Sequence, residues 1–105
     1  MPGIGSVIRR GLLGVGFRHK RDLDEPIHVV LWGKPDCCLC DRAYAILDRL
    51  AAEYPLRLEK RDITKDPVAY ERYRLVIPVV EINGEQRLEG KITELWLRRA
   101  FDQIG

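Results

Sequence analysis

Residues 27–32 read IHVVLW, an almost uninterrupted apolar and β-branched run. That pattern suits a strand covered on both faces, as in parallel or mixed sheets packed between helices, and directs the chain toward an α/β architecture. The segments downstream agree. Ala43, Ile46, Leu47, Leu50, Ala51 and Tyr54 recur on one face of a helix that Pro55 closes. From Leu56, LRLEKRD alternates Leu56 and Leu58 against Arg57 and Glu59, the signature of a second strand. Strand, helix and strand at this spacing form a βαβ unit.

Asp66-Pro67 predicts the start of a second helix through VAYERYR, with Asp66 as cap and Pro67 at the first helical position, where no N–H is needed. IPVVEI follows as a strand whose Pro78 sits at its beginning, the tolerable place for a missing donor. Asn83-Gly84 predicts a two-residue type I′ turn leading into a short strand, Gln86 to Glu89. Thr93 is placed to cap a last helix over ELWLRRAFDQI. The predicted order is βαβαββα, with no internal repeat.

At 105 residues the chain has room for one small domain, expected over residues 26–105. Residues 1–25 read as a basic, glycine-rich leader. Its first 21 residues carry Arg9, Arg10, Arg18, Lys20 and Arg21 and no acid, which is +5, so the rest of the chain is −3. A mildly acidic folding part argues against a nucleic-acid footprint. Ile4, Val7, Ile8, Leu12 and Val15 share one helical face, the makings of a basic amphipathic segment that could touch a membrane or partner. The five glycines at 3, 5, 11, 14 and 16 oppose a helix, so a flexible leader is the favoured expectation. GLLGVGF lacks a small-x-small cleavage site and runs on into basic residues, so no signal peptide is expected. No apolar run approaches the ~20 residues that span a bilayer.

All three cysteines lie within KPDCCLC, Lys34 to Cys40. Their adjacency rules out a framework of disulfides stapling distant loops, and a reducing cytoplasm is the expected setting. Cys37 follows the buried strand and opens a helix, so Cys37 and Cys40 stand one helical turn apart, within reach of a disulfide. Unpaired backbone N–H groups and the helix dipole stabilise a thiolate at Cys37, the form that attacks disulfides. Cys40, deeper in the turn, is the natural resolving thiol. Lys34 adds positive charge that favours the thiolate or holds an anionic substrate, while Asp36 and Asp41 oppose it. Cys38 points elsewhere around the helix and reads as a small hydrophobe and a bystander. A C-x-x-C is also half of many zinc sites, but His19 and His28 are poorly placed and no second C-x-x-C exists, so no metal site is expected.

Over about residues 27–103 the chain resembles the glutaredoxin-like branch of the thioredoxin fold. Three segments in order carry the likeness: VVLWGKPDCCLC, VIPVVEINGE and LEGKITELWL. Their wording is similar to a group of small, poorly characterised glutaredoxin-like proteins. The resemblance implies a central mixed four-stranded sheet flanked by helices and a cis peptide bond at Ile77-Pro78 beside Cys37. It also implies pairing of the Ile77 backbone with substrate, and contact between Lys34 and a glutathione carboxylate. Gly90 and Thr93 would stand where such proteins grip the γ-glutamyl end, although Glu89-Gly90-Lys91 replaces the usual glycine pair and Glu89 would repel a carboxylate.

The function implied is thiol–disulfide exchange by Cys37 and Cys40 on protein or glutathione mixed disulfides. Electrons would come from glutathione or a thioredoxin-reductase type partner. The protein would be a cytoplasmic monomer with no tightly bound cofactor, and glutathione would be at most a co-substrate. Two other readings stand beside it: an iron–sulfur or metal carrier using Cys37, and a redox-inactive interaction module on the same fold.

Overall fold

The computed structural model describes residues 25–104. The expected leader, apart from Glu25, lies outside the described residues, as does the segment 1–21 weighed as a membrane contact. Four strands and three helices follow in chain order: β1 (Ile27–Gly33), α1 (Cys38–Leu50), β2 (Leu56–Asp62), α2 (Pro67–Tyr73), β3 (Val79–Ile82), β4 (Gln86–Glu89) and α3 (Glu94–Asp102). The strands form one mixed sheet in the order β2-β1-β3-β4. β1 and β2 run parallel, whereas β3 is antiparallel to both β1 and β4.

The continuous apolar character of β1 has its cause in this arrangement. Ile27, Val29 and Leu31 point to one face, where they meet Ala43, Leu47 and Leu50 of α1 and Leu97, Ala100 and Phe101 of α3. Val30 and Trp32 point to the other, where they join Ile63, Ala69, Tyr73 and Val79. A central strand with period-two side chains therefore needs apolar residues at every position. β2 and β4 are the sheet edges, and most of the charged residues in LRLEKRD and QRLE lie on them at the surface.

Local signals account for the boundaries. The Asp66 side chain accepts from the Val68 and Ala69 amides, capping α2 with Pro67 in its first turn. An unforeseen 3₁₀ turn, Ile63–Lys65, precedes it; Asp62 caps this turn by accepting from the Thr64 amide and hydroxyl. α1 ends at Leu50 rather than continuing to Tyr54: tight turns from Ala51 to Glu53 replace regular helix, yet Tyr54 stays buried against Phe101. The turn after β3 holds Asn83 and Gly84 at positive φ, as expected, but Glu85 joins the loop, so Ile82 pairs with Gln86 across three residues. Asn83 does more than turn the chain. Its amide donates to the His28 carbonyl, and its side-chain oxygen accepts from the His28 amide.

α3 is fastened to α1 by charge as well as by its apolar face. Arg98 forks onto both oxygens of Glu53 and also reaches Glu94, which in turn pairs with Arg49. Among the described residues, no helix is long and apolar enough to cross a membrane.

Candidate functional site

The sheet register gathers the chemistry at one end. The last complete rung across three strands is Trp32–Val79–Glu89. One residue further come Gly33, Pro78 and Gly90, and Gly33 pairs with Asp62 on the remaining strand. The cysteine loop leaves β1 here, Ile77-Pro78 enters β3, and the turn toward α3 leaves β4.

Asp36, with φ of 62°, sets the chain into a tight turn ahead of α1. Aspartate tolerates that left-handed conformation better than most residues. Cys37 follows as the N-cap of α1, in extended conformation, and its sulfur accepts from the Cys40 amide at 3.3 Å. A sulfur thus takes the place usually held by a serine or aspartate oxygen and satisfies one of the helix's unpaired donors. Cys37 is partly exposed, Cys40 only 3% exposed, and all three thiols are free.

Burial, followed by the hydrogen bond with Cys37, pushes the Cys40 thiol up from 9.0 to about 11. A backbone contact from Lys34 works in the opposite direction. The two sulfurs are therefore unlike: one accessible and bonded to a helix N–H, the other enclosed and held as a thiol. Cys38 is exposed, which corrects its reading as a small hydrophobe. It remains on the helix surface, away from the enclosed position of Cys40.

Cys40 is enclosed on the β1 side by Gly33. A Cβ placed on Gly33 would lie 2.9 Å from the Cys40 sulfur and 3.0 Å from its Cβ. No expectation from the sequence included this glycine. Its signal was a glycine at the end of an otherwise β-branched strand, which marks close approach of another group. A cavity of about 380 Å³ also opens at this end, with Lys34, Cys40, Lys60 and Asp62 among its walls. Lys60 reaches it from β2, its ammonium 4.8 Å above the Tyr44 ring of α1.

The remaining expected positions divide. Ile77-Pro78 is a cis peptide bond, Pro78 is buried, and Ile77 packs partly buried against Val79's side of the sheet. The Gly90 amide donates to the carbonyls of Val76 and Pro78, each at 2.9 Å, and its φ of 78° favours glycine. Gly90 and the Ile77-Pro78 segment are thus joined directly. Lys34 is exposed and shares the cavity with Cys40. Thr93 is engaged locally: its hydroxyl accepts from the Trp96 amide and caps α3. Beside it, Glu94 places a carboxylate in the first helical turn, already paired with Arg49 and Arg98. Among the described residues, no group of three or more His, Cys, Asp or Glu side chains converges as metal ligands.

Comparison with known proteins bears on the family and the fold. Residues 28–102 match the family model described as "Glutaredoxin-like domain (DUF836)". A structural-genomics target protein from X. campestris is similar at 25% identity and a TM-score of 0.63, over 73% of this chain and 99% of that one. A Nitrosomonas europaea protein solved by NMR superposes with a TM-score of 0.65 at 23% identity, over 77% and 96% of the two chains. A thioredoxin point mutant from Halobacterium salinarum gives a TM-score of 0.62 at 16% identity, covering 76% of this chain and 75% of its own. Among curated proteins, none matches the chain in sequence. The fold is thioredoxin-like: a mixed four-stranded sheet flanked by three helices.

Proposed function

The chain belongs to the glutaredoxin-like domain family (DUF836), and on that premise we propose that it is a dithiol–disulfide oxidoreductase. Cys37 is the attacking sulfur and Cys40 the resolving one. The observation that carries this reading is the asymmetry of the pair: Cys37 is accessible at the start of α1 and accepts the Cys40 amide, while Cys40 is buried beside it.

In the first step the Cys37 thiolate attacks one sulfur of a substrate disulfide, R–S–S–R′. A Cys37–S–S–R bond forms, and R′–S⁻ leaves and takes up a proton. In the second, Cys40 loses its proton and attacks the Cys37 sulfur. The Cys37–Cys40 disulfide forms and R–S⁻ departs, so two thiols of the protein are oxidised and one disulfide is reduced. The start of α1 presents the partly exposed Cys37 sulfur to substrate in the first step. The raised Cys40 thiol, protonated at neutral pH, is kept from competing for substrate until the mixed disulfide stands next to it.

The substrates are protein or glutathione mixed disulfides. The Ile77 backbone and Lys34 offer the contacts to substrate, and Gly90 holds the Ile77-Pro78 segment in place. Thr93 takes part as a helix cap rather than as a free hydroxyl. Glutathione or a thioredoxin-reductase type partner returns the electrons, in a reducing cytoplasm. Single-turnover reaction of Cys37→Ser and Cys40→Ser variants with a model disulfide tests the proposal. Cys37→Ser should be inert and Cys40→Ser should accumulate the mixed disulfide; full turnover by Cys37→Ser would overturn it.

A further inference from the structure

Of the two glycines at the site end of the sheet, only Gly90 is in the left-handed region that demands glycine. A Cβ there would meet nothing within 4 Å. Gly33 is the reverse case. It lies within β1, paired in register with Asp62, and its φ is not positive. Nothing in its backbone excludes a side chain. What excludes one is Cys40, whose sulfur and Cβ would stand 2.9 and 3.0 Å from the added carbon. Real carbon contacts that short force a displacement, since van der Waals contact begins at about 3.5 Å.

The direction of the clash follows from the strand's period. Ile27, Val29 and Leu31 point toward α1, and position 33 continues that row to the first turn of the helix. Cys40 occupies the space at the end of the row that a larger side chain would fill in a uniformly packed strand. The sulfur therefore rests beside Gly33, while the Cys40 amide donates to the Cys37 sulfur.

We propose that Gly33 is a positioning residue for the dithiol pair: by lacking a side chain it lets the resolving sulfur sit behind Cys37, against the β1 backbone. This rests on the dithiol reading above. A side chain at position 33 pushes Cys40 out of line with the Cys37–S–S–R bond it must cleave. Misplacing a reacting atom by a fraction of an ångström to an ångström slows such a step by roughly ten- to a hundredfold. The first step, which uses Cys37 alone, keeps its rate.

The test is a single-turnover reaction of the reduced chain and of Gly33→Ala with hydroxyethyl disulfide, quenched with acid and followed by mass. The Cys37 adduct should form at the same rate in both and persist about tenfold longer in Gly33→Ala. The Cys40 thiol should also titrate at lower pH in the variant, a readout that general loss of stability would not produce in the folded protein. If Gly33→Ala does not fold, adding Cys40→Ala removes the nearer contact and should restore folding. An unchanged adduct lifetime in a folded Gly33→Ala chain, or no restoration by the second substitution, overturns the assignment. If the parental chain forms neither adduct nor disulfide, the dithiol reading fails first. If it forms both and Gly33→Ala resolves at the parental rate, only the role of Gly33 fails.

Discussion

The Cys40 amide donates to the Cys37 sulfur across 3.3 Å, so the two ends of the C-x-x-C are coupled even while both thiols are free. One residue supplies the helix donor that its partner's sulfur accepts. Removing the Cys40 side chain leaves that donor in place, whereas removing the Cys37 sulfur leaves α1 without its cap. Cys37→Ala should therefore lower stability by about 1 kcal/mol, read by urea unfolding, while Cys37→Ser should largely restore it.

Raising the pH should destabilise the reduced protein through Cys40. Its folded-state value near 11 exceeds the ordinary 9.0, so the native state holds the proton more tightly than the unfolded chain. The stabilisation is complete below pH 9 and is lost as pH rises through 11, at most about 3 kcal/mol for two units. Burial raises the Tyr54 and Tyr73 hydroxyls too, which acts in the same direction. The difference in urea midpoint between the parent and Cys40→Ala, taken at pH 8 and pH 10.5, isolates the thiol. A fall equal in both chains would contradict its contribution.

Lys34 is exposed and adjoins the cavity that reaches Cys40. Lys34→Gln should raise KM for glutathione disulfide by a few-fold at low salt and leave hydroxyethyl disulfide, which carries no charge, unaffected. Steady-state kinetics with both substrates at two salt concentrations separates these outcomes. Equal effects on the two would remove Lys34 from substrate binding.

Phe101 is 1% exposed and packs 5.1 Å from the Tyr54 ring, where α3 meets the turn that follows α1. Phe101→Ala should cost about 3–5 kcal/mol, a large share of what a domain this size commands. Chemical unfolding measures it directly, and a loss below 1 kcal/mol would show that the site collapses to fill the space.

Much of this architecture was legible in the residues because several local signals agreed at each point. The apolar run of β1, the Asp66-Pro67 helix start and the Thr93 cap each serve local and tertiary demands at once. The closeness of Cys37 to Cys40 was legible for the same reason, since one helical turn separates them whatever the surroundings. What escaped depends on partners distant in sequence. Arg98 reads as a solvent-facing helix residue until Glu53, 45 positions earlier, is brought beneath it. Gly33 reads as a strand end until Cys40 packs against its missing side chain. Glu85 entered the loop because the pairing of Ile82 with Gln86 is decided across the whole hairpin, not by Asn83-Gly84 alone.

In the proposed mechanism Cys37 attacks and Cys40 resolves. Peptide-level mass mapping of the full chain after controlled exposure to oxidised glutathione tests it most directly. A Cys37–Cys40 disulfide should form, preceded by glutathione on Cys37, with Cys38 left free. Three free thiols, or modification confined to Cys38, would contradict it.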